Sequence, residues 1–205
     1  MPTLPPATGR RTSRRTAGLL ALLLAATAVT GCTGGKDAVD QSSGNQFRYV
    51  SATDKGSVIE AAKRKQAGPV AGTLLAGGDY KLADDRGKVV VLNYFASWCP
   101  PCQTETPQFD SLYRERKAKG VAFVGMDVKD PSKSAAQSWL QDKKITFPVV
   151  YDEAAKSAIQ LGDVPMAALP STVVIDKQGR VAAVYVGSVL PADLTPALDQ
   201  LVREG

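Results

Sequence analysis

Histidine is absent from this chain. That one absence excludes imidazole as general base, as zinc or copper ligand and as haem axial ligand, and with them many enzyme classes. Cysteine is scarce, at three residues, so parity leaves one unpaired and each has to be placed by its local context. A strong electrostatic field is missing too. The net charge of +5 looks basic, yet Arg10, Arg11, Arg14 and Arg15 all precede Cys32 and no acidic residue does. The chain beyond Cys32 is close to neutral and gives no reason to expect nucleic acid as a partner. No internal repeat is found, and the longest apolar run, Ala17 to Val29, falls short of the roughly 20 residues that span a bilayer as a helix.

What is present begins with an address. At 205 residues and 44% apolar composition the chain suits one globular domain plus extra segments. Met1 to Arg15 is a polar, arginine-bearing stretch, and the Ala, Leu and Val run after it reads as the apolar core of a signal peptide. The run ends in Val29-Thr30-Gly31-Cys32, which resembles the bacterial lipobox, where the cysteine becomes the lipidated first residue of the mature protein. An ordinary secretory cleavage site is the alternative, and Ser13-Arg14-Arg15 also has a faint likeness to a twin-arginine export signal. The expected organisation is a lipoprotein signal peptide over 1–31, a lipidated tether over 32–69 with one short helix near Val58 to Lys65, and a folded domain over 70–205. With Cys32 as anchor the remaining cysteines form one pair. It would work at the outer face of the cell membrane, where disulfides persist.

Past the tether, apolar β-type runs alternate with helical patterns, the signature of a layered α/β domain. Lys88 to Phe95 is a continuous apolar run expected of a strand buried on both faces. A helix is predicted from Pro100 to about Lys119, stopped by Gly120. Val121 to Val128 reads as a second buried strand, Ser132 to Lys143 and Ala154 to Leu161 as helices, and Val149 to Tyr151 as a shorter strand between them. Ser171 to Ile175 and Val181 to Val186 flank a hairpin turn with Gly179 available for positive φ. A last helix carries Leu194, Leu198, Leu201 and Val202, with Pro196 as a candidate for its first turn. Trp139 reads as core.

The chemistry lies in Trp98-Cys99-Pro100-Pro101-Cys102, at the junction of a buried strand and a helix. Residues i and i+3 of a helical turn are neighbours, so both sulfurs can bond without moving the backbone. Cys99 falls at the N-cap, where its sulfur can accept from the Cys102 amide and feel the positive end of the helix dipole. Both effects favour thiolate, which makes Cys99 the nucleophile and Cys102 the resolving partner. Pro100 and Pro101 stiffen a turn whose amides would be orphaned anyway, and Trp98 is placed to shield the sulfurs. A purely structural disulfide is the bland alternative, weak because so short a loop constrains an unfolded chain little. A metal knuckle would need further Cys or His ligands at similar spacing.

Gly87 to Cys102, followed by Glu105, Pro107, Phe147-Pro148, Leu169-Pro170 and Gly179, resembles the TlpA/ResA-like branch of the thioredoxin superfamily, over roughly Val70 to Gly205. The resemblance implies a thioredoxin-like α/β fold with a central mixed sheet flanked by helices. It also implies that Pro170 is a cis-proline facing the cysteines, with the Leu169 backbone exposed to pair with an extended substrate. It makes Glu105 a group that tunes cysteine acidity or shuttles protons, against the plainer alternative of a solvated helix acid. Asn93 stands where thioredoxin has a buried aspartate, which leaves Glu105 to carry the proton. No cofactor is expected. The expected function is a membrane-tethered reductase of protein disulfides, apocytochrome c above all, fed by a membrane thiol-disulfide donor. A disulfide-forming oxidase and a redox-inactive binding lipoprotein remain as alternatives. A peroxidase fits less well, since lipidation of Cys32 leaves no separate peroxidatic cysteine.

Overall fold

The computed structural model describes residues 52–162 and 168–204. The signal peptide, Cys32 and the first part of the tether lie outside the described residues. Among the described residues, seven strands and four α-helices are arranged in the order β1 (Ala71–Thr73), β2 (Asp79–Lys81), β3 (Val89–Phe95), α1 (Pro100–Arg116), β4 (Val121–Asp127), α2 (Lys133–Asp142), β5 (Val149–Tyr151), α3 (Lys156–Leu161), β6 (Ser171–Ile175), β7 (Val181–Val186) and α4 (Pro191–Arg203). β3 to β7 form one mixed sheet in the spatial order β5-β4-β3-β6-β7. The pairs β3/β4 and β4/β5 are parallel, and β3/β6 and β6/β7 antiparallel. The thioredoxin-like architecture expected from the sequence is the one observed.

β3 is the centre because every one of its side chains is buried, and its two-residue period divides them between two cores. Val89, Val91 and Phe95 join Phe109 and Leu112 of α1, Ala136 of α2 and Leu194, Leu198 and Leu201 of α4 on one face. Val90, Leu92 and Tyr94 join Tyr80, Leu82, Leu161 and Val173 on the other. Burying each such aliphatic side chain is worth about 1.5–3 kcal/mol, so a one-residue slip of β3 would forfeit both faces at once. Asn93 falls on the α1 side by the same alternation, and that directs its amide toward the helix that carries the cysteines.

Several boundaries differ from the sequence expectation. The tether does not run to residue 69: residues 53–67 lie along β7, with Thr53 N–H donating to Val184 O at 2.7 Å, Ile59 N–H to Ala182 O at 2.7 Å and Val181 N–H to Lys65 O at 2.8 Å. β7 would otherwise be an open edge, and the contacts are made by backbone, which composition does not reveal. Arg64 anchors the segment. Its guanidinium, 1% exposed, meets Asp176 at 3.3 Å and Glu204 at 2.5 Å. The short helix expected near Val58 to Lys65 is a single 3₁₀ turn, Ala61–Lys63. The β1–β2 hairpin has no counterpart in the sequence expectation, because its strands are too short to show alternation. It turns through Gly77 and Gly78, at φ 97° and 82°, and Leu75 N–H closes the opposite sheet edge on Val149 O at 2.8 Å. α4 starts at Pro191 and runs through Pro196; Asp193, whose carboxylate accepts from Leu190 N–H at 2.9 Å, caps its true first turn. Gly179, at φ 74°, makes the β6–β7 turn as expected. Among the described residues no helix is long and apolar enough to cross a membrane.

Candidate active site

Cys99 and Cys102 are joined by a disulfide, with Cα atoms 5.2 Å apart. β3 delivers them: it ends at Phe95, Cys99 N–H closes a turn on Ala96 O at 3.1 Å, and the first helical bond of α1 runs from Gln103 N–H to Cys99 O at 3.0 Å. Cys99 is therefore the N-cap, and the prolines occupy the next two positions, as their missing amides allow. The capping bond expected from the Cys102 amide to the Cys99 sulfur is not made; in this oxidised state that sulfur is bonded to Cys102 instead. The cysteines differ in access, Cys99 being 4% exposed and Cys102 fully buried, while Trp98 beside them is 54% exposed. The indole is held over the rim by its Nε1–H, which donates to Lys129 O at 3.0 Å.

The antiparallel pairing of β6 with β3 sets Ser171 beside Tyr94, at the end of β3 that leads to the cysteines. The residues just before β6 are thereby brought to the same end of the sheet. The Leu169–Pro170 bond there is cis. Leu169 is half-buried and packs against the core cluster that contains Cys99 and Cys102. Pro170 O accepts from Gly187 N–H at 2.9 Å, which ties this turn to the stretch after β7.

That same stretch covers Glu105. The side chain is not a solvated helix acid: the residue is 1% exposed and lies less than one turn past Cys102 on α1. Its carboxylate accepts from Val189 N–H at 2.6 Å and from Asn93 Nδ2 at 2.8 Å. Asn93 also donates to Thr172 Oγ1 at 3.3 Å. Burial pushes the Glu105 carboxyl above the ordinary carboxylate range, while the bonds from Val189, Asn93 and Ser188 and the charge of Lys55 pull the other way. Burial is the largest of these influences and sets the upward direction. Val189 and Lys55 were not legible as site residues, since a backbone donor and a long-range charge leave no mark in local sequence. Among the described residues no group of three or more potential metal ligands comes together.

Two sulfurs at the start of a helix, one at the rim and one buried, with a buried carboxyl further along α1 and the Leu169–Pro170 turn at the same end of the sheet, can accept or release an electron pair by disulfide exchange. A profile of the AhpC/TSA family matches residues 64–184. The chain belongs to that family. Within it, 131 residues are 33% identical to the thiol-disulfide oxidoreductase ResA of Geobacillus kaustophilus, covering 63% of this chain and 72% of that one. Among solved structures, a DsbF homologue from Corynebacterium diphtheriae is 36% identical with a TM-score of 0.67, over 70% of this chain and 91% of that one. A secreted thiol-disulfide isomerase from Corynebacterium glutamicum is 34% identical with a TM-score of 0.68, over 76% and 98%. This AhpC/TSA family member is a thiol-disulfide oxidoreductase of the ResA type.

Proposed function

We propose that the protein is a reductase of extracytoplasmic protein disulfides, held at the outer face of the cell membrane by a lipid on Cys32, and that apocytochrome c is among its substrates. The observation that carries the exchange chemistry is the Cys99–Cys102 disulfide, spanning the N-cap and first turn of α1. In the reduced protein the Cys99 thiolate, favoured by the helix dipole, attacks a substrate disulfide. One substrate sulfur leaves as thiolate and the other is held in a mixed disulfide with Cys99. Cys102 then loses its proton and attacks the Cys99 sulfur, re-forming the internal bond and expelling the second substrate thiolate. Two electrons pass to the substrate, and a membrane thiol-disulfide donor returns them to the pair. Glu105 accepts and returns the Cys102 proton. Trp98, Leu169 and Pro170 form the surface on which the substrate segment lies, pairing with the Leu169 backbone.

The lipid anchor rests on the lipobox-like Val29-Thr30-Gly31-Cys32, and the choice of apocytochrome c on the likeness to the ResA branch. Two experiments test the proposal. Equilibration with glutathione gives the potential of the pair: a value near about −270 mV supports a reductase, and one near about −120 mV makes the protein an oxidase. Cell fractionation should find the wild type in the membrane and Cys32→Ala released; a variant that stays membrane-bound removes the anchor from the proposal.

A further inference from the structure

The turn that carries Cys99 is gripped from the β4 side by groups that the exchange chemistry does not use. Asp130 is 1% exposed. Its carboxylate takes both bonds that Ser97 offers, from the backbone N–H to Oδ2 and from the hydroxyl to Oδ1, each at 2.7 Å. Lys129, next to it, adopts φ 60° and turns its carbonyl to the Trp98 indole. The end of β5 steadies this stretch from the other side: Tyr151 donates its hydroxyl to Asp130 O at 2.9 Å, and Lys129 N–H donates to Glu153 O at 3.1 Å. Two residues that flank Cys99 on the N-terminal side, Ser97 and Trp98, are thus bonded to two consecutive residues after β4.

Behind Asp130 stands Asp127, fully buried, with no hydrogen-bond donor to either carboxyl oxygen among the described residues. The polar group that faces it is the Asp130 carboxyl. A carboxyl buried beside a second carboxyl resists ionisation. Burial first, then the hydrogen bond and charge of Asp130, push the Asp127 carboxyl up to about 9. Asp127 therefore holds the proton, and Asp130 supplies the acceptors for Ser97. Among the described residues, the titratable or charged residues bonded to this stretch are Lys129 on the same turn and, from the β5 end, Tyr151, Asp152, whose N–H donates to Asp127 O, and Glu153. The Tyr151 phenol is itself raised, by burial and then by Glu153, Asp127 and Asp130.

We propose that Asp130, backed by the Asp127 carboxyl, positions the disulfide turn: the acid pair fixes Ser97 and, through Ser97 and Trp98, sets where the Cys99 sulfur meets an incoming sulfur. Neither aspartate makes or breaks a bond with the substrate. The inference rests on Cys99–Cys102 exchange as the function of the site.

The oxidised protein isolates this pair, because its two disulfide cysteines do not titrate. Carboxyl-carbon NMR of aspartate-labelled oxidised protein should show one aspartate with a midpoint of about 9, absent in Asp127→Asn, with the Ser97 amide shifting in step. No aspartate titrating above pH 7, or a Ser97 amide that ignores the transition, overturns the proposal. For the reduced protein, with oxidised glutathione as the probe disulfide, Asp130→Ala should lower the bimolecular rate roughly ten- to a hundredfold, as misplacement of a reacting group by about 1 Å does. Asp130→Asn should recover most of it, since its amide can accept from the Ser97 N–H and donate to the hydroxyl. A merely structural role would leave folded Asp130→Ala at the wild-type rate, and that result also overturns the proposal. Should Asp130→Ala fail to fold, the Asp130→Asn rate and the Asp127→Asn spectrum decide. A wild type that shows no exchange would instead reject the exchange function, a failure the carboxyl titration does not share.

Discussion

Replacing Glu105 separates the two things its carboxyl does. Glu105→Ala leaves Val189 N–H and Asn93 Nδ2 without the acceptor they meet at 2.6 and 2.8 Å, and an orphaned buried donor costs about 1–3 kcal/mol. Two such donors would cost about 2–6 kcal/mol, but Asn93 keeps a partner in Thr172 Oγ1, so the loss should fall in the lower half of that range, about 3 kcal/mol. Glu105→Gln keeps an oxygen for Val189, and the Asn93 Oδ1, unpartnered in the wild type, can turn to accept from the new amide; its loss should stay within about 1 kcal/mol. Both variants lose the titrating proton. The folded-state carboxyl is raised above its ordinary 4.5, so the native chain binds more protons than the unfolded one from that value upward. Its contribution to stability therefore falls as pH climbs through this window and levels off above the folded value. Urea titrations across a pH series should show a steeper fall in the wild type than in Glu105→Gln, the part common to both coming from Asp127, whose carboxyl is also raised. The exchange rate, followed with oxidised glutathione, should drop about a hundredfold in both variants, the usual scale of a lost general acid–base group. A Glu105→Gln protein with the wild-type pH–rate profile would refute the proton role. One as unstable as Glu105→Ala would refute the hydrogen-bond accounting.

Other variants probe the same geometry. Arg64→Ala leaves Asp176, 2% exposed, with Arg180 as its remaining cation, so urea unfolding should show a loss of about 3 kcal/mol, the low end for breaking a buried pair; a loss below about 1 kcal/mol would mean that residues 53–67 contribute little to the fold. Trp98→Phe removes the bond to Lys129 O but keeps an aromatic rim. It should weaken substrate binding, seen as a raised KM with kcat within about twofold. Gly179→Ala places a Cβ within 2.4 Å of the Arg86 guanidinium carbon at φ 74° and should cost about 1–3 kcal/mol of stability, read by thermal unfolding.

The cysteine pair, its strand and its helix were legible because each leaves a local mark: the unbroken apolar run before Cys99, the i, i+3 cysteines, and prolines where amides are not needed. The spacing of Glu105, three residues past Cys102 and six past Cys99, puts it on the cysteine face, but its role and the cis-proline were reachable through the resemblance alone, since nothing in their neighbours distinguishes a cis from a trans proline or a buried from a solvated helix acid. The burial of Glu105 comes from Val189, distant in sequence, closing over it. The segment over residues 53–67 read as tether because it binds mostly by backbone hydrogen bonds and one guanidinium, with few apolar side chains, Val58 and Ala67, packed on the cores. Asp127 carried a visible signal, an acid at the end of the apolar run Val121 to Val128, but its meaning needs Asp130 and Ser97 brought together by the fold.

The division of labour between the sulfurs, with Cys99 meeting the substrate and Cys102 resolving, is open to direct trapping. Cys102→Ser and Cys99→Ser proteins are each mixed, reduced, with a disulfide-containing protein substrate and examined by mass spectrometry without reductant. The expected result is a stable mixed disulfide on Cys99 of the Cys102→Ser protein and none on Cys102 of the Cys99→Ser protein, as the 4% and zero exposure of the two residues imply. Equal capture by both variants, or capture through Cys102 alone, would overturn that assignment.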